Sequence, residues 1–253
     1  MTDVSGLGHV AAAAAAVGGG IINAIAGGGT LVTFPVLTAI GVPTKQANAT
    51  NTVALLPGYL GGIVAQRRDL EGLGRTVKPQ LIAASLGGLA GSILLIVTSE
   101  SVFRAIVPFL ILAACLLLGV QDRLRAWIFR DGAEHESHIV LQTAAISVAA
   151  VYGGYFGAGL SIMIIAVLGL FSDLPFTRLN AIKMLLSFVV NFSAAVFLSV
   201  KGNVEWTLVA VMAPAALIGG NLGGRLAQVL PPKRLRGFVI AFGVVVAIVY
   251  LVK

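Results

Sequence analysis

The chain has 253 residues, 58% of them hydrophobic and 11% charged, with a mean hydropathy of +0.98; soluble domains run at roughly 45–50% apolar and about 25% charged. That balance excludes a water-soluble globule. Lys and Arg number 17 against 10 Asp and Glu, a formal charge of +7. Cytoplasmic loops of a membrane protein account for such a surplus, and no basic cluster lies beside stacking aromatics, so no nucleic-acid partner is expected.

From Val4 to Thr44 there is no Asp, Glu, Lys or Arg, and uncharged runs recur at 46–66, 79–99, 137–172, 184–200 and 206–224. Each suffices for a bilayer crossing of about 20 apolar residues. With Gly, Pro and charge clusters as punctuation, ten apolar segments emerge: 7–26, 29–41, 46–66, 79–98, 102–120, 138–156, 158–171, 177–199, 206–224 and 236–252. The first is expected to be retained rather than cleaved as a signal, because Met1–Val10 carries no Lys or Arg and the run continues past Gly29. Cys115, the single cysteine, is expected to face lipid or pack between helices. The expected fold is an all-α polytopic membrane protein. It divides into an N-terminal transmembrane repeat (1–120), a cytoplasmic linker (121–137) and a C-terminal transmembrane repeat (138–253).

The halves repeat. Gly27 and Gly29 match Gly157 and Gly159 at an offset of 130. An offset of 132 pairs Pro43 with Pro175, Asn48 with Asn180, Ala49 with Ala181, and Gly87, Gly88 and Gly91 with Gly219, Gly220 and Gly223. The second and seventh segments reach only about 20 Å at 1.5 Å per residue, against a hydrocarbon core of about 30 Å. Each follows a small-residue break, Gly27-Gly28-Gly29 or Gly157-Ala158-Gly159, and paired interruptions of this kind point to a transporter's binding site. The competing reading is that these glycines only let helices pack closely. Packing is also the reading of Gly58/Gly62, Gly87/Gly91, Gly219/Gly223 and Gly220/Gly224, whose spacing puts both members on one helix face.

Charge placement favours an odd net number of crossings per half, whether the short segments are re-entrant or fully spanning. The basic clusters around Arg67–Lys78, Arg123–Arg130 and Arg225–Arg236 then share the cytoplasmic side, leaving Lys45, Arg104, Lys201 and Lys253 opposite. The repeats are therefore expected to be inverted, with both termini outside.

Polar groups inside spanning helices need a reason. Asn180, Lys183, Ser187 and Asn191 share one face of the eighth segment, and under the 132 offset Asn51 corresponds to Lys183. The related third segment carries Asn48, Asn51 and Thr52. Half-helices starting near Thr30 and Ser161 would turn backbone N–H groups and a partial positive charge inward. Amides, hydroxyls and one ammonium without an intramembrane carboxylate suit a small oxyanion. For Lys183 the alternative is a chain snorkelling to headgroups; for Asn48 and Asn180 it is helix capping or interhelical hydrogen bonding. Enzyme readings lack support, since His9, His135 and His138 have no partners at metal spacing and Asp and Glu lie in loops or at span ends. No cofactor and no metal site are expected.

Asn23-Ala-Ile-Ala-Gly-Gly-Gly-Thr30, Phe34-Pro35, Gly41-Val-Pro43 and Ala47-Asn-Ala-Thr-Asn51 are followed in the second half by Gly153-Gly-Tyr-Phe-Gly-Ala-Gly159 and Leu179-Asn-Ala-Ile-Lys183, then by Gly202-Asn-Val-Glu-Trp206 and Gly219-Gly-Asn-Leu-Gly-Gly224. In this order and duplication the chain resembles the sulfite exporter TauE/SafE family of bacterial and archaeal inner-membrane anion transporters. The resemblance implies transport of sulfite or an organosulfur anion such as a sulfonate, often outward, without a bound cofactor, and it makes Asn48, Asn51, Asn180 and Lys183 the substrate contacts.

The expected activity is thus secondary transport by alternating access, with Lys183 attracting the anion and Asn48, Asn51, Asn180, Thr30 and Ser161 donating hydrogen bonds. Asn191 and Thr52 line the same faces, and Gly27, Gly28, Gly29, Gly157 and Gly159 supply the helix breaks. An anion channel and a non-transport membrane scaffold are the rival readings. Proton or sodium coupling and homo-oligomer formation remain open at this level.

Overall fold

The computed structural model describes residues 4–73, 77–128, 139–172, 174–226 and 232–252. Ten α-helices account for nearly all of them: α1 (Gly6–Ile25), α2 (Thr30–Ala39), α3 (Thr44–Ala65), α4 (Lys78–Val97), α5 (Glu100–Ile128), α6 (Ile139–Tyr155), α7 (Leu160–Leu170), α8 (Phe176–Lys201), α9 (Trp206–Leu226) and α10 (Pro232–Val252). They match the ten expected segments within a few residues, with one difference. The first part of the expected linker continues α5 as helix to Ile128, while 129–138 lie outside the described residues, as do Arg75 and Lys253.

Among the described residues five helices are long and apolar enough to cross a membrane: α1, α4, α5 over Glu100–Val120, α8 and α9. The polar residues of α3 lower its hydropathy, although its 22 residues would span about 33 Å. Large apolar side chains such as Leu7, Ile82, Leu86, Leu116, Val148 and Val200 stand exposed on the outer surface. In water such a surface would aggregate, whereas in a bilayer it meets acyl chains. The protein is a multi-pass membrane protein.

The helices that pack most extensively come from opposite halves: α9 lies against α1 and α3, and α4 against α6 and α8. Glycine makes these approaches close. A Cβ on Gly219 or Gly223 would run into Val17 or Ile21 of α1, and one on Gly87 or Gly91 into Ser147 or Val151 of α6. Val17 and Ile21 precede Ser147 and Val151 by the same 130 residues that separate the glycine breaks. Likewise a Cβ on Gly220 would overlap Gly58 O in α3, and one on Gly88 would overlap Val190 O in α8; 58 and 190 differ by 132. Exchange of the halves therefore maps one set of contacts onto the other. Pro43 and Pro175 cap α3 and α8 with nearly the same backbone, φ −54°, ψ 147° and φ −54°, ψ 145°.

Cys115 packs inside, 4% exposed, with Sγ 3.9 Å from Ile240 O. Of the two readings open from sequence, the structure selects packing.

Candidate functional site

Both helix breaks are built by glycines in the left-handed region. Gly27 (φ 71°) and Gly28 (φ 112°) separate α1 from α2, and Gly157 and Gly159 (both φ 80°) separate α6 from α7. A side chain in that region is strained. The two breaks meet: a Cβ on Gly27 would lie 2.7 Å from the Cβ of Ser161 at the start of α7.

The expected free N–H groups at these helix starts are only partly free. Asn23 Oδ1 accepts the N–H groups of Gly28 (3.3 Å) and Gly29 (2.7 Å), and those of Leu31 and Val32 bond the carbonyls of Gly28 and Gly29. Asn23 thus caps α2 from one turn back in α1, a role its position at the end of an apolar run signals only faintly. In the second half position 153 is Gly, so the start of α7 has no such side-chain cap. Instead, the Tyr152 hydroxyl donates to Ala158 O at 2.7 Å, steadying that break. Tyr152→Phe is expected to cost about 1 kcal/mol of stability, seen as a lower melting temperature in detergent with the helix content unchanged by circular dichroism.

The polar face of α3 lies along the breaks. Asn48 Nδ2 donates to Tyr155 O, the last residue of α6, at 2.8 Å; Asn51 Nδ2 donates to Thr30 Oγ1 at 3.3 Å; and Thr52 Oγ1 donates to Asn48 O at 3.0 Å. All four side chains, Thr30 included, are buried. Asn48 Oδ1 and Asn51 Oδ1 are buried without a partner among the described residues.

The face of α8 is organised around a lysine. Lys183, 2% exposed and seven residues into its helix, donates from Nζ to Asn180 Oδ1 at 2.8 Å. Asn180 Nδ2 donates in turn to Gln66 Oε1 at 2.6 Å. Further along α8, Ser187 Oγ meets Ser161 Oγ at 3.2 Å, and Asn191 Nδ2 donates to Ser187 O at 2.8 Å. Tyr59 of α3, which precedes Asn191 by the same 132 residues, is buried as Asn191 is. Lys183 does not snorkel in this conformation: its head is buried on Asn180.

All eight sequence-derived side chains are buried, and the break contact between Gly27 and Ser161 links the two faces. Sequence reasoning missed Gln66, which holds Asn180. It also placed every acid in a loop or at a span end. Glu205 does precede α9, yet it is 4% exposed. Its backbone N–H donates to Thr50 Oγ1 at 2.9 Å, and its carboxylate accepts from Thr207 Oγ1 at 3.1 Å and from Gln46 Nε2 at 3.4 Å.

Beyond the first turn of α3 lies a cavity of about 540 Å³ lined by Thr38, Thr44, Glu100, Arg104, Val249 and Tyr250, among others. Aromatic rings lead from it toward the break: Tyr250 stacks on Phe34, Phe34 meets Phe156 edge-on at 5.4 Å, and Phe103 packs on both Phe156 and Tyr155.

Comparison with known proteins agrees with this architecture. The chain is 28% identical over 221 residues to a probable membrane transporter protein of Haemophilus influenzae, covering 87% of this chain and 85% of that protein. It is 24% identical over 231 residues to the probable membrane transporter protein ORF9 of a Sinorhizobium species, covering 90% and 87%. Against the probable membrane transporter protein YfcA of Escherichia coli K12 the identity is 25% over 235 residues, covering 90% and 84%. No solved structure matches. The family model for the sulfite exporter TauE/SafE matches residues 11–250, so the chain belongs to that family of membrane transporters.

Proposed function

We propose that this protein is a secondary transporter that exports a small oxyanion, sulfite or an organic sulfonate, across the cytoplasmic membrane. The observation that carries the reading is Lys183: a lysine 2% exposed inside a membrane helix, with one neutral hydrogen-bond partner among the described residues. A buried charge without a counterion is costly, and intramembrane ionisable groups mark substrate paths. An anion entering beside Asn180, Ser161 and Ser187 would supply the missing charge and accept charge-assisted hydrogen bonds.

Two inverted repeats, 1–120 and 138–253, joined by a cytoplasmic linker and with both termini outside, fit the exchange-related glycine contacts and the basic loops. Alternating access then amounts to one repeat moving against the other around the touching breaks. The contact of Gly27 with Ser161 and the aromatic rings beside it favour a carrier over an open channel. Counterflow in proteoliposomes tests this: preloaded sulfite is expected to accelerate labelled sulfite entry, with ethanesulfonate competing and chloride ineffective. Large unitary currents, or no flux of any of these anions, would overturn it.

A further inference from the structure

Under the 132-residue offset, Asn48 and Asn51 of α3 are the counterparts of Asn180 and Lys183 of α8. In α8 the ammonium satisfies Asn180 Oδ1 at 2.8 Å. In α3 no lysine stands at that place, and the equivalent acceptor is stranded: Asn48 Oδ1 and Asn51 Oδ1 are both buried without a partner among the described residues, in residues 1% and 2% exposed. The orientation of Asn48 is fixed because its nitrogen faces a carbonyl, Tyr155 O. Three residues apart on one helix, the two asparagines occupy the same face, and Thr30 Oγ1 adjoins Asn51.

We propose that Asn48 Oδ1 and Asn51 Oδ1, with Thr30 Oγ1 beside them, form a site for a monovalent alkali cation that takes the place the Lys183 ammonium holds in the other half. The proposal names the coupling ion of the transporter inferred above and rests on that reading for its role in transport. Neutral oxygen ligands suit a hard, singly charged ion. Among the described residues no cluster of three or more His, Cys, Asp or Glu exists to hold a divalent or transition metal. Broken helices supply further carbonyls to such ions, and the break at Gly27–Gly28 adjoins Thr30. Access is short, since Thr44, one turn before Asn48, lines the 540 Å³ cavity. The division of labour follows: the α8 face carries a built-in cation and draws an anion, whereas the α3 face, its amide donors already engaged, offers acceptors and draws a cation.

The test is the melting temperature of the full chain in detergent, titrated with sodium gluconate against N-methylglucamine gluconate at constant ionic strength, alongside binding of radioactive sodium. The wild type is expected to show a saturable rise of several degrees and stoichiometric sodium binding. Asn51→Lys, which brings its own ammonium, is expected to lose the sodium response and to melt without sodium as the wild type does with it. Asn48→Asp is expected to tighten sodium binding about tenfold or more, which keeps the proposal falsifiable if Asn51→Lys does not fold. A wild type indifferent to sodium, lithium and potassium would overturn the site, as would an Asn51→Lys variant with the wild-type sodium response. Sodium binding without any anion flux would leave the site standing and remove the transport reading. Sulfite counterflow unaffected by removing all alkali cations, together with a flat melting curve, would do the reverse.

Discussion

Lys183→Met is expected to reduce sulfite counterflow in proteoliposomes at least tenfold while leaving the protein folded. Hydrogen bonds to ionised groups contribute about 1.5–3 kcal/mol, equivalent to roughly ten- to 150-fold in affinity, and the ammonium is the only cationic group buried with the breaks among the described residues. Stability should move little, because two effects oppose. Methionine removes a charge whose burial is unfavourable, but it leaves Asn180 Oδ1 without the donor it has now. Unequal effects on flux and melting temperature are what distinguish a binding role from a structural one. Unchanged counterflow in a folded Lys183→Met protein would refute the proposed role.

Gly220→Val is expected to give the largest loss of stability. α9 lies between α1 and α3, and a Cβ at position 220 would overlap Gly58 O, a backbone atom that no rotamer change can move aside. Separating the helices at that point also loosens Gly219 from Val17 and Gly61 from Leu217 O and Asn221 N. Overpacking a tight interface costs about 1–3 kcal/mol, and here the obstacle is backbone on both sides, so the upper end applies. Thermal unfolding in detergent measures it, with Gly18→Ala as the control: Gly18 has nothing within 4 Å of an added Cβ and should be tolerated. Equal melting temperatures for Gly220→Val and Gly18→Ala would show that the α3–α9 contact is not as close as described.

The number of helices, their limits and the duplicated glycine breaks were legible in the chain because each has a local cause. Apolar length decides a span, proline before Thr44 and Phe176 starts a helix, and glycine at positions 27 and 157 permits a backbone that other residues avoid. The apolar part of α5 ends at Val120 as hydropathy indicates, but the helix runs on to Ile128, because a charged stretch outside the apolar core can continue a helix. The partners of Asn23, Gln66 and Glu205 were not legible for a different reason. Each is a lone polar residue whose partner, an amide near a break, Asn180 or Gln46, is set by how the chain folds back.

By itself the sequence determined a multi-pass helical membrane protein, its paired glycine breaks and the polar faces of α3 and α8, since hydropathy and periodicity act within one segment. Only the tertiary structure decided that the two breaks touch, that Lys183 is buried on Asn180 instead of reaching headgroups, and that Asn48 and Asn51 spend their donors and strand their acceptors. Those outcomes depend on which helices become neighbours, and residues more than a hundred positions apart, such as Asn48 and Tyr155, leave no local pattern to announce that they will meet.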